Sequence, residues 1–261
     1  MSTTEIFVNL SRVASRCRGK MKLIIVKDYQ EVSKKAAEIV IDLLKENTAA
    51  KLGLATGSSP IGLYQNLIKA YQDKEISFKD VTTFNLDEYV GIPRDHEQSY
   101  FSFMNNNLFN HIDINMDMVH LPDNDLNRIN SIAKEYNQLL KKNIIDLQIL
   151  GIGSNGHIGF NEPGTPFTNE TFIVNLDEQT RQDNSRFFES LDAVPKQAIT
   201  MGIKNIMRAK HLLLVASGKG KSQAIYNMIY GEITEDFPAS VLQLHPHCTV
   251  IIDEDAGELL P

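Results

Sequence analysis

Short apolar runs alternate with amphipathic stretches along most of the chain. Residues 21–26 form an apolar, β-branched run, and residues 28–47 follow with apolar side chains at helical spacing. The same order returns at residues 51–55 and 63–71. A buried strand followed by an amphipathic helix is the repeating unit of parallel α/β sheets. The pattern therefore predicts strands that alternate with helices around one sheet.

This alternation continues through the rest of the sequence. It predicts further strands at residues 81–86, 147–151, 172–176, 198–201, 211–216 and 249–252, and helices at 100–109, 127–142 and 219–230. No Pro/Gly/Ser-rich linker divides the chain. We therefore predict an α/β fold with a single doubly wound, mostly parallel sheet and helices on both faces, Rossmann-like in a modified form, as one domain over residues 21–261.

The first twenty residues differ from the rest. Four basic residues accumulate there against a single acid, Glu5: Arg12, Arg16, Arg18 and Lys20. A basic, serine-containing segment of this kind is typical of a targeting leader, and an upstream start would give the same pattern. We expect residues 1–20 to be a basic leader outside the domain.

Composition and charge exclude several classes of partner. The 261 residues include 26 Lys and Arg against 33 Asp and Glu, a net charge of -7 with no basic tract, so we expect no nucleic acid partner. No apolar run approaches the roughly 20 residues of a membrane span, so we expect no membrane partner. The two cysteines, Cys17 and Cys248, are too few for a disulfide framework or a zinc site, which favours a cytoplasmic protein.

The densest group of reactive side chains follows the predicted strand at 147–151. Residues 150–163 read LGIGSNGHIGFNEP and place Asn155, His157 and Glu162 among four glycines. Ligands of open parallel sheets bind beyond the carboxyl ends of the strands, and an imidazole both donates and accepts protons near neutral pH. We predict that His157 is an acid/base group oriented by Asn155 and Glu162.

Asp87 ends another predicted strand at the same sheet edge, where a carboxylate suits a general base. Glu88 is the competing carboxylate. Successive strand positions face opposite ways, so only one of the two can face a ligand.

A phosphate site is indicated by the turn between residues 55 and 60. Thr56, Gly57, Ser58 and Ser59 offer hydroxyl and backbone N–H groups before a helix, where the helix dipole favours an anion. The alternative interpretation is a structural turn with a serine N-cap. Two cations follow later strands, Arg186 and Lys221, and each either closes on a phosphate or lies solvated at the surface. His245 and His247 lack a third ligand at metal spacing, so we predict no metal site.

Four motifs in order resemble the glucosamine-6-phosphate deaminase family, also called glucosamine/galactosamine-6-phosphate isomerases. They are NLDEYVG at 85–91, GSNGHIGFNEP at 153–163, NSRFF at 184–188 and LQLH at 242–245, and the resemblance runs from Met21 to Asp253. It implies the reversible conversion of glucosamine 6-phosphate, a small-molecule sugar phosphate, to fructose 6-phosphate and ammonia, without metal or organic cofactor. This reaction belongs to amino-sugar metabolism and N-acetylglucosamine catabolism, and we group the expected enzyme with the hydrolases.

The resemblance also implies a role for each candidate. Asp87 resembles the base that moves a proton from C2 to C1, and His157 resembles the group that opens the sugar ring, supported by Glu162 and Asn155. The family's phosphate contacts correspond to Ser58, Ser59, Arg186 and Lys221, with Lys219 as a close competitor of Lys221. Many members carry Asp at position 155. Asn cannot ionise there, but it can accept a hydrogen bond and fix the ring tautomer of His157.

The resemblance leaves assembly and two other functions to weigh. The chain ends soon after its last predicted strand, whereas longer members carry a C-terminal extension and form allosteric hexamers. We therefore expect the short bacterial type, a monomer or small homo-oligomer. The alternative functions are a 6-phosphogluconolactonase-like hydrolase of the same fold and a catalytically inactive sugar-phosphate sensor.

Overall fold

An eight-stranded sheet forms the centre of the structure, a computed structural model that describes residues 4–8, 20–176, 188 and 190–261. In chain order the strands are β1 Thr4–Val8, β2 Lys20–Val26, β3 Lys51–Leu54, β4 Thr82–Asn85, β5 Asp87–Tyr89, β6 Val119–His120, β7 Leu147–Leu150, β8 Phe172–Asn175, β9 Gln197–Thr200, β10 His211–Ala216 and β11 His247–Asp253. The central sheet has the order β1-β2-β11-β10-β7-β3-β4-β6, and each pair in it is parallel except β1 with β2. The predicted α/β class with a mostly parallel sheet is confirmed.

Helices connect the strands and cover the sheet. They are α1 Tyr29–Glu46, α2 Ile61–Gln72, α3 Tyr100–Asn107, α4 Ile129–Lys142, α5 Ile203–Ile206 and α6 Ser222–Tyr230. The start of α1 is fixed by Asp28, whose carboxylate accepts the N–H groups of Gln30 and Glu31, each at 3.1 Å. The buried face of α1, which includes Val32 and Val40, packs against β10, β11 and α2. Because the central strands run parallel, the turns that follow them lie at the same edge of the sheet. The candidate residues lie in or beside these turns.

A second, antiparallel sheet adds to the predicted architecture. Its order is β5-β9-β8, so the predicted strand at 198–201 pairs with Asp87–Tyr89 on one side and with the predicted strand at 172–176 on the other, and neither joins the central sheet. The predicted strand at 81–86 ends where β4 is followed by β5. Leu86 joins the two sheets, because its N–H donates to the Leu54 carbonyl at 3.1 Å and its carbonyl accepts the Met201 N–H at 2.7 Å. Asp87 consequently leaves the central sheet at its carboxyl edge.

The N-terminal segment contributes one strand to the sheet edge. Thr4–Val8 pairs antiparallel with β2, from Thr4 opposite Ile25 to Val8 opposite Met21. We expected residues 1–20 to lie outside the domain because their basic residues set the boundary at Met21. At the outer edge of β2, backbone N–H and C=O groups are available to pair with another strand. This pairing does not depend on the charge of the segment that supplies the strand. The leader itself stays a prediction.

Three histidines lie at the opposite end of the strands from the candidate site. The rings of His211 and His247, which begin β10 and β11, stack with their centroids 3.8 Å apart. The His211 Nε2 atom lies 2.9 Å from Thr249 Oγ1, and the buried His245 ring contacts the Ala209 carbonyl through Nε2 at 2.9 Å. Burial, reinforced by the two neighbouring imidazoles, lowers the pKa of His211 to about 4.

This histidine should make the fold acid-sensitive. The unfolded chain binds a proton at the ordinary histidine pKa of 6.5, whereas the folded state binds it only near 4, so stability falls as the pH drops through this window. Relative to His211→Gln, the wild-type urea midpoint should fall between pH 7 and pH 5, because the other titrating groups contribute equally in both proteins. The exposed His111 gives a matched control as His111→Gln. An equal fall in both variants and the wild type would contradict the assignment.

Candidate active site

Asp87 occupies a buried position at the start of β5. Its side chain is 6% exposed, and it pairs across the small sheet with Thr200 of β9. Burial, with a smaller contribution from the charge of Glu88, raises the pKa of Asp87 to about 8. Its carboxylate makes no hydrogen bond to another described residue. A buried carboxyl group without partners is a proton acceptor stronger than an ordinary aspartate.

Tyrosines from several elements enclose this carboxyl group. Burial, together with the nearby charge of Asp87, raises the pKa of four of them: Tyr64 of α2, Tyr89 of β5, Tyr100 of α3 and Tyr136 of α4. The Tyr64 hydroxyl donates to the Ala55 carbonyl at 2.6 Å, and the Tyr136 hydroxyl donates to the Asn85 carbonyl at 2.7 Å. These two rings are therefore fixed by backbone groups of β3–α2 and β4.

Glu88, the competing carboxylate, faces the start of α3. It accepts the backbone N–H groups of Tyr89 and Tyr100, each at 2.9 Å, and of Phe101 at 3.0 Å. These bonds direct both carboxylate oxygens of Glu88 toward backbone N–H groups, two of them at the start of α3. The geometry supports Asp87, and not Glu88, as the group that faces a ligand.

The segment of residues 151–163, which we call the glycine loop, follows β7 and carries three candidate side chains. The Asn155 amide donates to Glu162 Oε2 at 2.8 Å, and its oxygen accepts the backbone N–H of His157 at 3.2 Å. Glu162 Oε1 lies 3.3 Å from His157 Nδ1, an ion-pair distance without hydrogen-bond geometry. The side chains of His157 and Glu162 are 39% and 34% exposed, so both are open to solvent.

This arrangement corrects one expectation about Asn155. The residue was expected to accept a hydrogen bond from the His157 ring, but it holds Glu162 and the loop backbone instead. Asn carries an NH2 donor that a carboxylate accepts, and this donor selects Glu162 as its partner. Asn155 therefore acts on the ring indirectly, through Glu162 and through the backbone of His157.

Two close contacts place the glycine loop over Asp87 and Thr200. A Cβ atom placed on Gly159 would lie 3.0 Å from Thr200 Oγ1 and 3.4 Å from Asp87 Oδ2, so this part of the loop covers the carboxylate. The Phe160 N–H donates to Thr200 Oγ1 at 3.2 Å and fixes that contact. The loop therefore places the imidazole-bearing segment and the buried carboxylate at one edge of the central sheet.

The turn between β3 and α2 lies beside the glycine loop. Gly57 and Ser58 are exposed, Gly57 has a φ of 90°, and a Cβ on Gly151 would lie 3.8 Å from Ser59 Oγ. The N-cap of α2 is Pro60, with no side chain capping the helix, so the interpretation of a serine N-cap is wrong. Ser58 is held through its backbone, because its carbonyl accepts the Tyr29 hydroxyl at 3.1 Å. Thr56 precedes this turn and is partly buried.

The two predicted phosphate cations differ in what the structure tells of them. Lys221 is half-buried in the short helical turn Lys219–Lys221 after β10, and burial lowers its pKa. It has no carboxylate partner among the described residues, whereas Lys219 pairs with Glu258 at 3.7 Å. This difference favours Lys221 over Lys219 as an anion ligand. Arg186 lies outside the described residues, so its role stays a prediction.

Sequence reasoning missed Thr200 and the aromatic cluster around Asp87. The rings of Tyr89 and Tyr100 lie 4.9 Å apart, and Phe160 stacks on Tyr100 at 6.2 Å. Aromatic residues are common in any protein core, so their residue types gave no signal of a site. Thr200 carried no signal, because its relation to Asp87 depends on an antiparallel pairing that the local pattern does not encode.

A comparison with protein families matches this arrangement to a known group. The model described as glucosamine-6-phosphate isomerases/6-phosphogluconolactonase matches residues 27–251. The chain belongs to this family.

Individual family members are similar over nearly the whole chain. The glucosamine-6-phosphate deaminase of Thermoanaerobacter pseudethanolicus is 51% identical over 242 residues, which cover 92% of this chain and 96% of that protein. Glucosamine-6-phosphate deaminase 1 of Bacillus subtilis is 47% identical, with 92% and 100% covered. A solved monomeric glucosamine-6-phosphate deaminase superposes with a TM-score of 0.87 at 46% identity, covering 91% of this chain and 99% of that one. The resemblance drawn from the motifs is therefore confirmed, and the relatives are enzymes.

These matches correct one classification and limit one alternative. Grouping the enzyme with the hydrolases is wrong, because the curated relatives are deaminases and the family description names isomerases. A 6-phosphogluconolactonase from Trypanosoma brucei superposes with a TM-score of 0.74 at only 17% identity, so it shares the fold alone. Within the described residues, no helix is long and apolar enough to cross a membrane.

Asn155→Ala should weaken the hold on Glu162 without unfolding the family's fold. The variant loses a hydrogen bond to a carboxylate, so we expect kcat/KM to fall about tenfold. Glu162→Gln removes the charge itself and should cost more. Steady-state kinetics of both variants test this order, and an Asn155→Ala variant as active as the wild type would contradict the role given to Asn155.

Proposed function

We propose that this family member catalyses the reversible isomerisation and deamination of glucosamine 6-phosphate to fructose 6-phosphate and ammonia. The observation that carries the proposal is the unpartnered, buried Asp87 carboxylate under a loop that bears His157 and Glu162. The chain around this site is 51% identical to a deaminase. The 6-phosphogluconolactonases at 17–21% identity support only the shared fold.

Ring opening is the first step of the proposed mechanism. His157 gives a proton to the ring oxygen O5 as the C1–O5 bond breaks, and it takes the proton of the C1 hydroxyl as the aldehyde forms, so the imidazole returns to its starting protonation state. Glu162, 3.3 Å from Nδ1, stabilises the charged imidazolium, and Asn155 holds Glu162 in place. The exposure of both side chains supports access to the sugar.

Proton transfer between carbons is the second step. Asp87 takes the C2 proton, which the neighbouring aldehyde acidifies, and the electron pair moves to give an enolamine. Asp87 then returns the proton to C1, which leaves an imine at C2. Water adds to that imine, and ammonia leaves to give fructose 6-phosphate. The raised pKa of Asp87 supports this role, since a base with a pKa near the working pH both accepts and returns a proton.

The phosphate group gives the substrate its orientation. We assign it to the turn of Thr56, Gly57, Ser58 and Ser59 and to Lys221, with Arg186 as a further cation by the family motif. Hydroxyl and backbone N–H groups at the start of α2 supply donors for a dianion, and a half-buried ammonium supplies charge.

We further propose a cytoplasmic enzyme that works as a monomer or small homo-oligomer, without nucleic acid, metal or organic cofactor. The similar solved deaminase is described as monomeric and is covered over 99% of its length. The net charge of -7 argues against nucleic acid, and Cys248 is a buried free thiol, as expected in a reducing compartment.

The test is to incubate the purified protein with glucosamine 6-phosphate and to measure fructose 6-phosphate and ammonia separately. We expect equal amounts of both products. Glucose 6-phosphate and 6-phosphogluconolactone serve as comparison substrates, and neither should be turned over at a comparable rate. Failure to release either product from the amino sugar would overturn the proposal, and preferential lactone hydrolysis would establish the alternative.

A further inference from the structure

Glu88 is a buried carboxylate next to the proposed base that the mechanism does not use. It is 2% exposed and adjoins Asp87 in β5. Two buried carboxyl groups at neighbouring positions do not ionise independently, because each charge opposes the other. Which of the two carries the charge depends on the groups that surround each one.

The surroundings of the two carboxyl groups are opposite in kind. Glu88 accepts three backbone N–H bonds at the start of α3, and the charge of Arg94 also favours its ionised form. Burial still raises the pKa of Glu88 above its ordinary range. Among the described residues, Asp87 accepts no such bond, and the groups that interact electrostatically with it, besides Glu88, are the hydroxyls of four tyrosines: Tyr64, Tyr89, Tyr100 and Tyr136. Glu88 therefore loses its proton before Asp87 does.

A cavity beside Glu88 adds to the difference between the surroundings of the two carboxyl groups. It has a volume of about 300 Å³ and is lined by Glu88, Arg94, Phe101, Leu121, Pro122, Asp123 and Asn124. The Arg94 guanidinium lies 3.9 Å from the centre of the Phe101 ring, at the end of α3 that Glu88 anchors. Glu88 therefore borders a cavity that is also lined by the polar residues Arg94, Asp123 and Asn124. Asp87 does not line this cavity.

We propose that Glu88 is a positioning residue: it anchors α3 and sets a fixed negative charge beside Asp87, so that the base keeps its proton until a cationic amino sugar enters. The inference rests on the proposed function. The positive amino group of the substrate offsets the second negative charge and lets Asp87 release its proton to solvent. A sugar phosphate without an amino group brings no such positive charge, so Glu88 also contributes to selection of amino sugars.

The test compares the pH dependence of kcat/KM in the wild type and in Glu88→Gln. Removal of the charge should move the acidic limb to lower pH by about one unit. The substrate amine ionises identically with both enzymes, so the difference belongs to the protein. Ser99→Ala is the matched control, because Ser99 Oγ caps α3 through the Ser102 N–H at 3.0 Å without carrying a charge. The acidic limb of the Ser99→Ala pH profile should coincide with that of the wild type. A Glu88→Gln limb that coincides with the wild type would overturn the proposal.

Two further measurements keep the test decisive. If Glu88→Gln does not fold, the exposed Arg94→Gln replaces it: loss of the cation that favours ionised Glu88 should move the limb in the same direction, to lower pH, and an unmoved limb overturns the proposal. Unfolding in urea gives a readout independent of activity. Asp87→Asn should stabilise the wild type more than the Glu88→Gln background at pH 9, and the difference should vanish at pH 5. If no product forms from glucosamine 6-phosphate, the proposed function fails. The urea unfolding of the two single variants and of the double variant at Asp87 and Glu88 then decides by itself whether the two carboxylates are coupled.

Discussion

Asp87→Asn should lower kcat by about 10³-fold, because the amide cannot accept the C2 proton, and general base catalysis contributes about 10²- to 10⁴-fold. The substitution keeps the shape of the side chain, so KM should change little. Solvent deuterium should no longer enter C1 of the product at a measurable rate. A variant that keeps near-normal turnover and exchange would show that another group moves the proton, even if ammonia is still formed.

The same substitution should make the protein more stable. The Asp87 carboxyl has an ordinary pKa of 3.8 in the unfolded chain and about 8 in the folded state. The folded state is therefore favoured below pH 3.8, where both states hold the proton, and it loses that advantage as the pH rises through 8. Asn cannot ionise, so the stability gain should grow from pH 5 to pH 8, reaching about 2 kcal/mol or more.

Urea unfolding at several pH values measures this gain. Asp80→Asn is the matched control, because Asp80 is exposed and should give the same midpoint as the wild type throughout. Lost activity together with a stability gain identifies a functional carboxylate whose burial is costly to the fold. Lost activity with a lower midpoint at pH 8 would instead indicate a structural role for Asp87.

The sequence predicts the position of Asp87 but not its environment. Strand-end placement follows from the predicted strand at 81–86, and that was enough to nominate a base. The break at Leu86 and the antiparallel partner Thr200 depend on contacts between distant segments. Three of the four tyrosines that interact with Asp87, Tyr64, Tyr100 and Tyr136, come from helices distant in sequence, so no local pattern encodes its raised pKa.

The glycine loop shows the same division at a smaller scale. The density of Gly, His, Asn and Glu in residues 151–163 predicts a site at a strand end, and the loop does follow β7. Which side chain meets which depends on the turns at Gly156 and Gly159, whose φ angles are 85° and 58°. Residue types alone allowed Asn155 to meet the ring of His157, and only the path of the backbone directs it to Glu162.

Gly153→Ala should displace the His157 ring and lower kcat/KM by about 10²-fold. A Cβ at this position would lie 2.3 Å from His157 Cε1 and 2.4 Å from Nδ1, far inside van der Waals contact. The Gly153 backbone lies outside the left-handed region, so alanine is not strained there. The ring is the movable partner, and a displacement of about 1 Å from the reacting atoms is enough for a loss of this size.

Stability separates this displacement from simple disruption of the loop. The clash involves the end of one exposed side chain, so the urea midpoint of Gly153→Ala should stay close to that of the wild type. Gly257→Ala is the matched control, because a Cβ there meets its nearest neighbour, the Asp253 carbonyl, at an ordinary 3.4 Å. Its activity should be unchanged. Glu162→Gln should cost much less in the Gly153→Ala background than alone, since the ring that Glu162 charges has already moved. Full additivity of the two losses would contradict a shared action on His157.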